Sequence, residues 1–247
     1  MDRSVDDRRA GLSGHPVPGA PSPATVVSVN VGRPRTVPFR GSQVTTGIWK
    51  VPVSGPIRAR GVNLAGDDQA DRSVHGGPDK AVYAYAQEDL SWWTVELGRV
   101  VAAGTFGENL TTAGIDVTNA VVGERWAVGS AVLEVSQPRV PCYKLGIRMG
   151  DQRFPPRFAA AGRPGAYLRI VTEGDIAAGD EVRVLSRPDH GVTVGLIERA
   201  YHADRSLVPR LLEARPRSPK DGPTGQIMSS AIGPGPSPCR PRRPDAC

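Results

Sequence analysis

Ala131-Val132-Leu133-Glu134-Val135 runs straight into Ser136-Gln137-Pro138-Arg139-Val140-Pro141-Cys142-Tyr143-Lys144-Leu145, and the change between the two stretches decides how the chain is read. The first five residues form an apolar run that reads as a strand. Pro138 and Pro141 lack a backbone N–H and fix φ, so both a continuing ladder and a helix are expected to stop there. Cys142 follows the second proline, where Cys-Tyr-Lys-Leu-Gly-Ile-Arg can begin a helix. A thiol at a helix N-terminus, close in sequence to Arg139 and Lys144, is placed to ionise. A thiolate is both a nucleophile and a soft metal ligand. Free cysteines are also among the most buried residue types. From these ten residues alone, an inert buried thiol is the plainer reading.

Working outward, short β-branched runs recur. Residues 24–32 (ATVVSVNVG) read as the first strand and residues 43–53 as a second, while 57–64 alternate in the manner of a half-buried strand. Residues 81–85 (AVYAY) form another, 121–135 offer two around a Gly129-Ser130 turn, and 166–172 and 181–185 complete the set. Helical patterns are fewer: 87–98, ending at Gly98, and 153–161, broken by Pro164-Gly165. Many short strands with frequent turn signals predict a mainly β chain, a β-barrel or folded sheet with a few short helices. No glycine-rich phosphate fingerprint and no fixed-period repeat appears.

The ends differ from this body. Residues 1–23 and 215–247 are rich in proline and glycine without period and are expected to be disordered, the latter contributing nothing to the stability of the sheet. The domain is expected over 24–186. Within 187–214, Thr193 and Asp204 are placed to cap two amphipathic helices. The net charge of +6 is concentrated in the tail, where six basic residues face two acidic ones. The tail carries no aromatic residue to stack on bases, so a specific nucleic-acid function is not expected. No apolar run is long enough to span a membrane and no secretory signal opens the chain. The three cysteines make no disulfide framework, so a reducing cytoplasmic setting is expected.

Two polar loops stand out. Residues 66–80 (GDDQADRSVHGGPDK) carry His75, Asp71, Asp79 and Lys80, with Gly76-Gly77 able to approach an anion closely. Residues 104–112 (GTFGENLTT) carry Glu108 and Asn109. Each residue also has a local reading: a histidine holding its turn, solvated charges, or an asparagine capping its own backbone. Neither Cys142 nor His75 belongs to a close-spaced ligand pair, which argues against a structural zinc site.

In combination, GDDQADRSVHGGPDKAVYAY, GTFGENLTT and SQPRVPCYKLG resemble the MOSC family, named after the C-terminal domain of molybdenum cofactor sulfurase, and most closely its YiiM-like branch. The likeness spans roughly 24–214. It implies a MOSC-type β-barrel, followed here by a shortened version of the branch's three-helix domain. It also implies a molybdenum–pterin cofactor, with Cys142 matching the family's molybdenum-ligating cysteine. By the same resemblance His75, Asp79, Lys80 and Asn109 are cofactor-binding positions, and Arg139 and Lys144 are placed to neutralise the pterin phosphate or the thiolate. Molybdenum-ion binding and pyridoxal phosphate binding are further properties attached to the family. The implied activity is reduction of small N-hydroxylated compounds. No flavin or iron–sulfur motif is present, so electrons would come from a separate reductase. The alternative that stays open is a carrier of molybdenum cofactor, or of a persulfide on Cys142, without turnover of its own.

Overall fold

The structure, a computed structural model, describes residues 23–70 and 76–214. The chain opens with β1 (Thr25–Val31), then the hairpin β2 (Arg35–Phe39) and β3 (Ser42–Thr46), β4 (Val51–Val53), and a second hairpin, β5 (Ile57–Arg60) with β6 (Asn63–Leu64). A 3₁₀ turn at Pro78–Lys80 leads into β7 (Val82–Ala86), α1 (Gln87–Leu97) and β8 (Leu110–Ala113). β9 (Arg125–Val128) and β10 (Ala131–Pro138) precede α2 (Tyr143–Met149) and α3 (Phe154–Ala160). β11 (Ala166–Thr172), β12 (Gly174–Ile176) and β13 (Val182–Ser186) follow, and α4 (Val194–His202) and α5 (Val208–Leu211) end the described chain. Among the described residues no helix is long and apolar enough to cross a membrane.

Eight strands form one mixed sheet in the order β13-β9-β10-β11-β7-β8-β1-β4. Every neighbouring pair is antiparallel except β7 and β8, whose parallel pairing is made possible by the α1 crossover. The sheet curls until its two ends meet. Val26 N donates to Asp180 O at 2.8 Å and Val182 N to Ala24 O at 2.7 Å, beside a single bridge between Thr25 and Glu181. The result is barrel-like, joined there by a bridge and not by a full ladder.

β7 shows why the strand sequence is so apolar: all five residues are buried, on both faces. Val82, Ala84 and Ala86 face an interior of Val26, Val29, Leu110, Trp126, Leu133 and Leu168. Tyr83 and Tyr85 face a second, aromatic cluster with Leu90, Trp93, Phe106, Phe154 and Phe158. Trp93 and Phe158 stack there with centroids 5.7 Å apart, and Trp93 Nε1 donates to Tyr85 Oη at 2.9 Å. Burying rings of this size contributes roughly 2–3 kcal/mol each. α1 stops at Gly98, which takes φ 61° in the left-handed region. α4 is capped as its sequence predicts, with the Thr193 side chain accepting from Leu196 N, and Asp204 caps the turn before α5 by accepting from Ser206 N.

Two expectations differ from the structure. Residues 43–53 are not one strand but β3 and β4, separated by an irregular stretch at 47–50. Residues 57–64 are likewise not one strand but the hairpin of β5 and β6, in which Arg60 pairs with Asn63. β2 has no counterpart among the expected strands; it pairs with β3 across a two-residue turn in which Arg40 (φ 48°) and Gly41 (φ 76°) are both left-handed. The ladder stops at Pro138 as expected, with Pro138 still pairing with Ala166 as the last residue of β10. β9 accompanies β10 only as far as Glu134, so at Pro138 the strand has a neighbour on one side and a missing N–H is tolerated.

Candidate functional site

The break between β3 and β4 creates the wall of a pocket. A Cβ at Gly47 would meet Asp68 O at 2.7 Å, so residues 47–50 lie directly against residues 67–70. Gly107, at φ +82°, lets the 104–108 loop close on Ile48, where a Cβ would meet Ile48 Cγ1 at 2.9 Å. Ile48, Lys50, Asp67, Lys80, Asn109, Arg139, Cys142, Lys144 and Tyr167 all line the resulting cavity, which holds about 110 Å3 and opens to solvent.

One side is a buried polar network. The Lys50 ammonium pairs with Asp67, whose other oxygen accepts from Gly32 N at 3.0 Å. Burial lowers the Lys50 pKa, with Asp67 opposing that shift. Asn109 Nδ2 donates to Asp67 at 2.9 Å and to Asn30 O at 3.3 Å, while Asn109 Oδ1 accepts from Tyr83 N at 3.0 Å. The Asn109 amide is therefore fully engaged in fixing the wall. Gln69 staples the loop: its Nε2 donates to Val62 O and Lys80 O, and its Oε1 accepts from Gly77 N.

The other side carries the thiol. Cys142 is the half-buried, extended N-cap residue of α2, and its carbonyl accepts from Leu145 N at 2.9 Å. Arg139 is buried, with its guanidinium 5.6 Å from the Tyr83 ring centre and 5.2 Å from that of Phe158. Its Nη1 is shielded from solvent and has no hydrogen-bond partner. A buried donor in that state costs about 1–3 kcal/mol unless a ligand or water completes it.

The structure thus brings Lys80, Asn109, Arg139, Cys142 and Lys144 to one cavity. Asp79 stands apart from that lining: its carboxylate pairs with Arg169, which also holds Glu134 at 2.6 Å. Glu108 is buried in its own loop, accepting from Gly104 N at 2.6 Å and Phe106 N at 3.0 Å, and burial pushes its carboxyl up to about 7. His75 and Asp71 lie outside the described residues. Lys50, Asp67, Tyr83 and Tyr167 were not identified from sequence. Asp67 belongs to the acid-rich loop already singled out, but Lys50 sits in IWKVP with no local signal.

The curled sheet thus carries one thiol in a cation-lined mouth. The MOSC domain family profile matches residues 71–183. The chain is 38% identical to the uncharacterized protein YflK of Bacillus subtilis over 74% of its own length and 83% of that protein's. It is 33% identical to protein YiiM of Escherichia coli, over 68% of this chain and 77% of YiiM. It is 32% identical to a protein named "Reductase" from Gibberella moniliformis, of which it spans 33%. The crystal structure of YiiM from Geobacillus stearothermophilus superposes with a TM-score of 0.64 at 27% identity, covering 83% of this chain and all of that one. The chain belongs to the MOSC domain family, in its YiiM-like branch.

Proposed function

We propose that the pocket binds a molybdenum–pterin cofactor through Cys142 and that the protein reduces small N-hydroxylated compounds with electrons from a separate reductase. One observation carries this reading: a single thiol lines the same cavity as Arg139, whose buried guanidinium keeps one nitrogen, Nη1, without a hydrogen-bond partner. The donor set supports it. Among the described residues no three His, Cys, Asp or Glu side chains gather to hold a metal. One thiolate suits a metal that arrives with sulfur ligands of its own. Lys50, Lys80, Arg139 and Lys144 outnumber Asp67 and Asp68 in the lining, which suits an anionic ligand. At about 110 Å3 the cavity would enclose the metal end of such a group and not its whole organic body.

When bound, the cofactor supplies the two electrons that convert an N–OH to an N–H with loss of water. The chain's residues supply the surroundings. Cys142 Sγ would hold the metal, and Arg139 Nη1 would donate to an anionic oxygen or sulfur beside it. Lys144 and Lys80 add charge that attracts the anionic cofactor. Lys50 Nζ is a proton donor facing the cavity, its proton held less tightly because of burial. Asp67 and Asn109 keep that ammonium in place.

The test is molybdenum analysis of protein made in a molybdenum-replete host, with turnover of an N-hydroxylated substrate by a chemical reductant. Bound molybdenum with turnover is expected. Bound molybdenum without turnover would favour the carrier, and absence of molybdenum would overturn the assignment.

A further inference from the structure

Among the described residues three arginines near the pocket make no ion pair. Arg35 is on β2, Arg99 follows α1, and Arg148 is on α2 one turn after the cavity-lining Lys144. Burial lowers the pKa of Arg148, repulsion from Arg35 and Arg99 adds to that shift, and the buried Glu108 opposes it. Arg148 Nε is shielded from solvent and has no hydrogen-bond partner. Among the described residues none of the three makes an ion pair, whereas Arg58, Arg125, Arg157, Arg163, Arg169 and Arg187 all do.

Apolar and aromatic groups join them. The Arg35 guanidinium lies 3.8 Å from the Trp49 ring centre, and Trp49 stands between the cavity-lining Ile48 and Lys50. Val95 and Val100, flanking Arg99, are 84% and 79% exposed, the highest values among the large apolar side chains described. Gathering like charges is unfavourable in the free protein. Arginine and tryptophan are the residues enriched at interface centres.

We propose that this face docks an acidic surface of the protein that delivers electrons to the pocket, an inference that rests on the reductase reading above. On that reading the electrons come from a separate protein, which has to approach the cavity. The arginine face adjoins the cavity wall at Trp49 and at the Lys144 helix. An acidic protein surface supplies the missing counter-charges and also covers Val95 and Val100, which a phosphate backbone would leave in water.

The test uses purified flavodoxin, an acidic FMN protein, as the probe. Calorimetry at low and high salt compares the wild type with an Arg35→Glu/Arg99→Glu variant and with Arg148→Gln, after circular dichroism establishes that each is folded. The wild type is expected to bind at low salt and to weaken as salt rises. The double variant should bind about tenfold more weakly or worse. Turnover driven by reduced flavodoxin should fall in parallel, while turnover driven by reduced methyl viologen should match the wild type. Equal binding by wild type and double variant, no binding by the wild type, or tighter binding of a single-stranded oligonucleotide through the same arginines would each overturn the proposal. Loss of methyl viologen turnover in the wild type itself would count against the reductase reading, and the flavodoxin binding arm is independent of it.

Discussion

Asn109 Nδ2 donates a 2.9 Å hydrogen bond to the Asp67 carboxylate across 42 residues of chain, and through it the two polar loops of the molecule become one wall. The same amide holds Tyr83 N and Asn30 O. Asn109→Ala would leave a buried carboxylate and a buried N–H short of partners. The expected cost is about 2–3 kcal/mol, read as a shift of the urea midpoint. A change under about 0.5 kcal/mol would show that water replaces the amide without loss.

Cys142→Ser exchanges a soft thiolate for a hard hydroxyl of nearly the same size. Molybdenum content and reductase turnover should both collapse, with the melting temperature within a degree or two of wild type, because the side chain is only half-buried at a helix cap. Undiminished metal and turnover would remove Cys142 from the site.

Lys80 and Asp79 are adjacent in sequence but differently placed, Lys80 lining the cavity and Asp79 pairing with Arg169. Asp79→Ala removes one of the carboxylates that hold Arg169 and should destabilise the protein by about 1–3 kcal/mol. Lys80→Ala should lower molybdenum content while the urea midpoint stays near wild type. If both variants lose stability equally and keep their metal, Lys80 belongs to the scaffold as well.

Glu198, on α4, sets a pH dependence. Neither carboxylate oxygen has a hydrogen-bond partner, and burial pushes the group up to about 8 from 4.5, with Arg139 pulling the other way. His202 Nε2 lies 3.5 Å away and is itself held toward its neutral form by burial. The folded carboxyl keeps its proton longer than the unfolded one. Its contribution to stability is therefore full below about 4.5 and lost as the pH rises through about 8. Glu108, raised to about 7, adds a slope of the same sign. Glu198→Gln should flatten the wild-type decline in unfolding free energy by a few kcal/mol, on the order of 3, between about pH 5 and pH 8. His202 has a slope of opposite sign and touches Glu198, so the comparison is repeated in a His202→Gln background. Parallel curves for the two proteins would show that Glu198 ionises normally.

Where a structural feature depends on neighbours in sequence, it was legible. The start of α2 after Cys142, the stop of α1 at Gly98 and the caps at Thr193 and Asp204 all rest on local backbone chemistry. Features set by distant chain were not. Arg40-Gly41 turns β2 into β3, yet arginine is not the residue that normally signals two left-handed positions, and Pro38 argues against a strand. The gap between β3 and β4 is imposed by residues 67–70 pressing on Gly47. Pro138 stays in the ladder only because β9 is short. The same holds for the site. Cys142 announces itself through its prolines, whereas Lys50 acquires meaning only when Asp67 and Asn109 are folded against it. Asp79 misleads because a loop carboxylate looks the same in sequence whether it faces a ligand or Arg169.

The contact between Val26 and Asp180 has a kinetic consequence. It joins residues about 150 positions apart, so on the ribosome the first strand must wait for its last partner. At about 5–20 residues per second that wait is roughly 8–30 s, during which one margin of β1 stays open to mispairing with other chains. Slow, late closure of this kind makes the yield of native protein depend on translation speed and on chaperones that shield open strand edges, independently of how stable the finished molecule is.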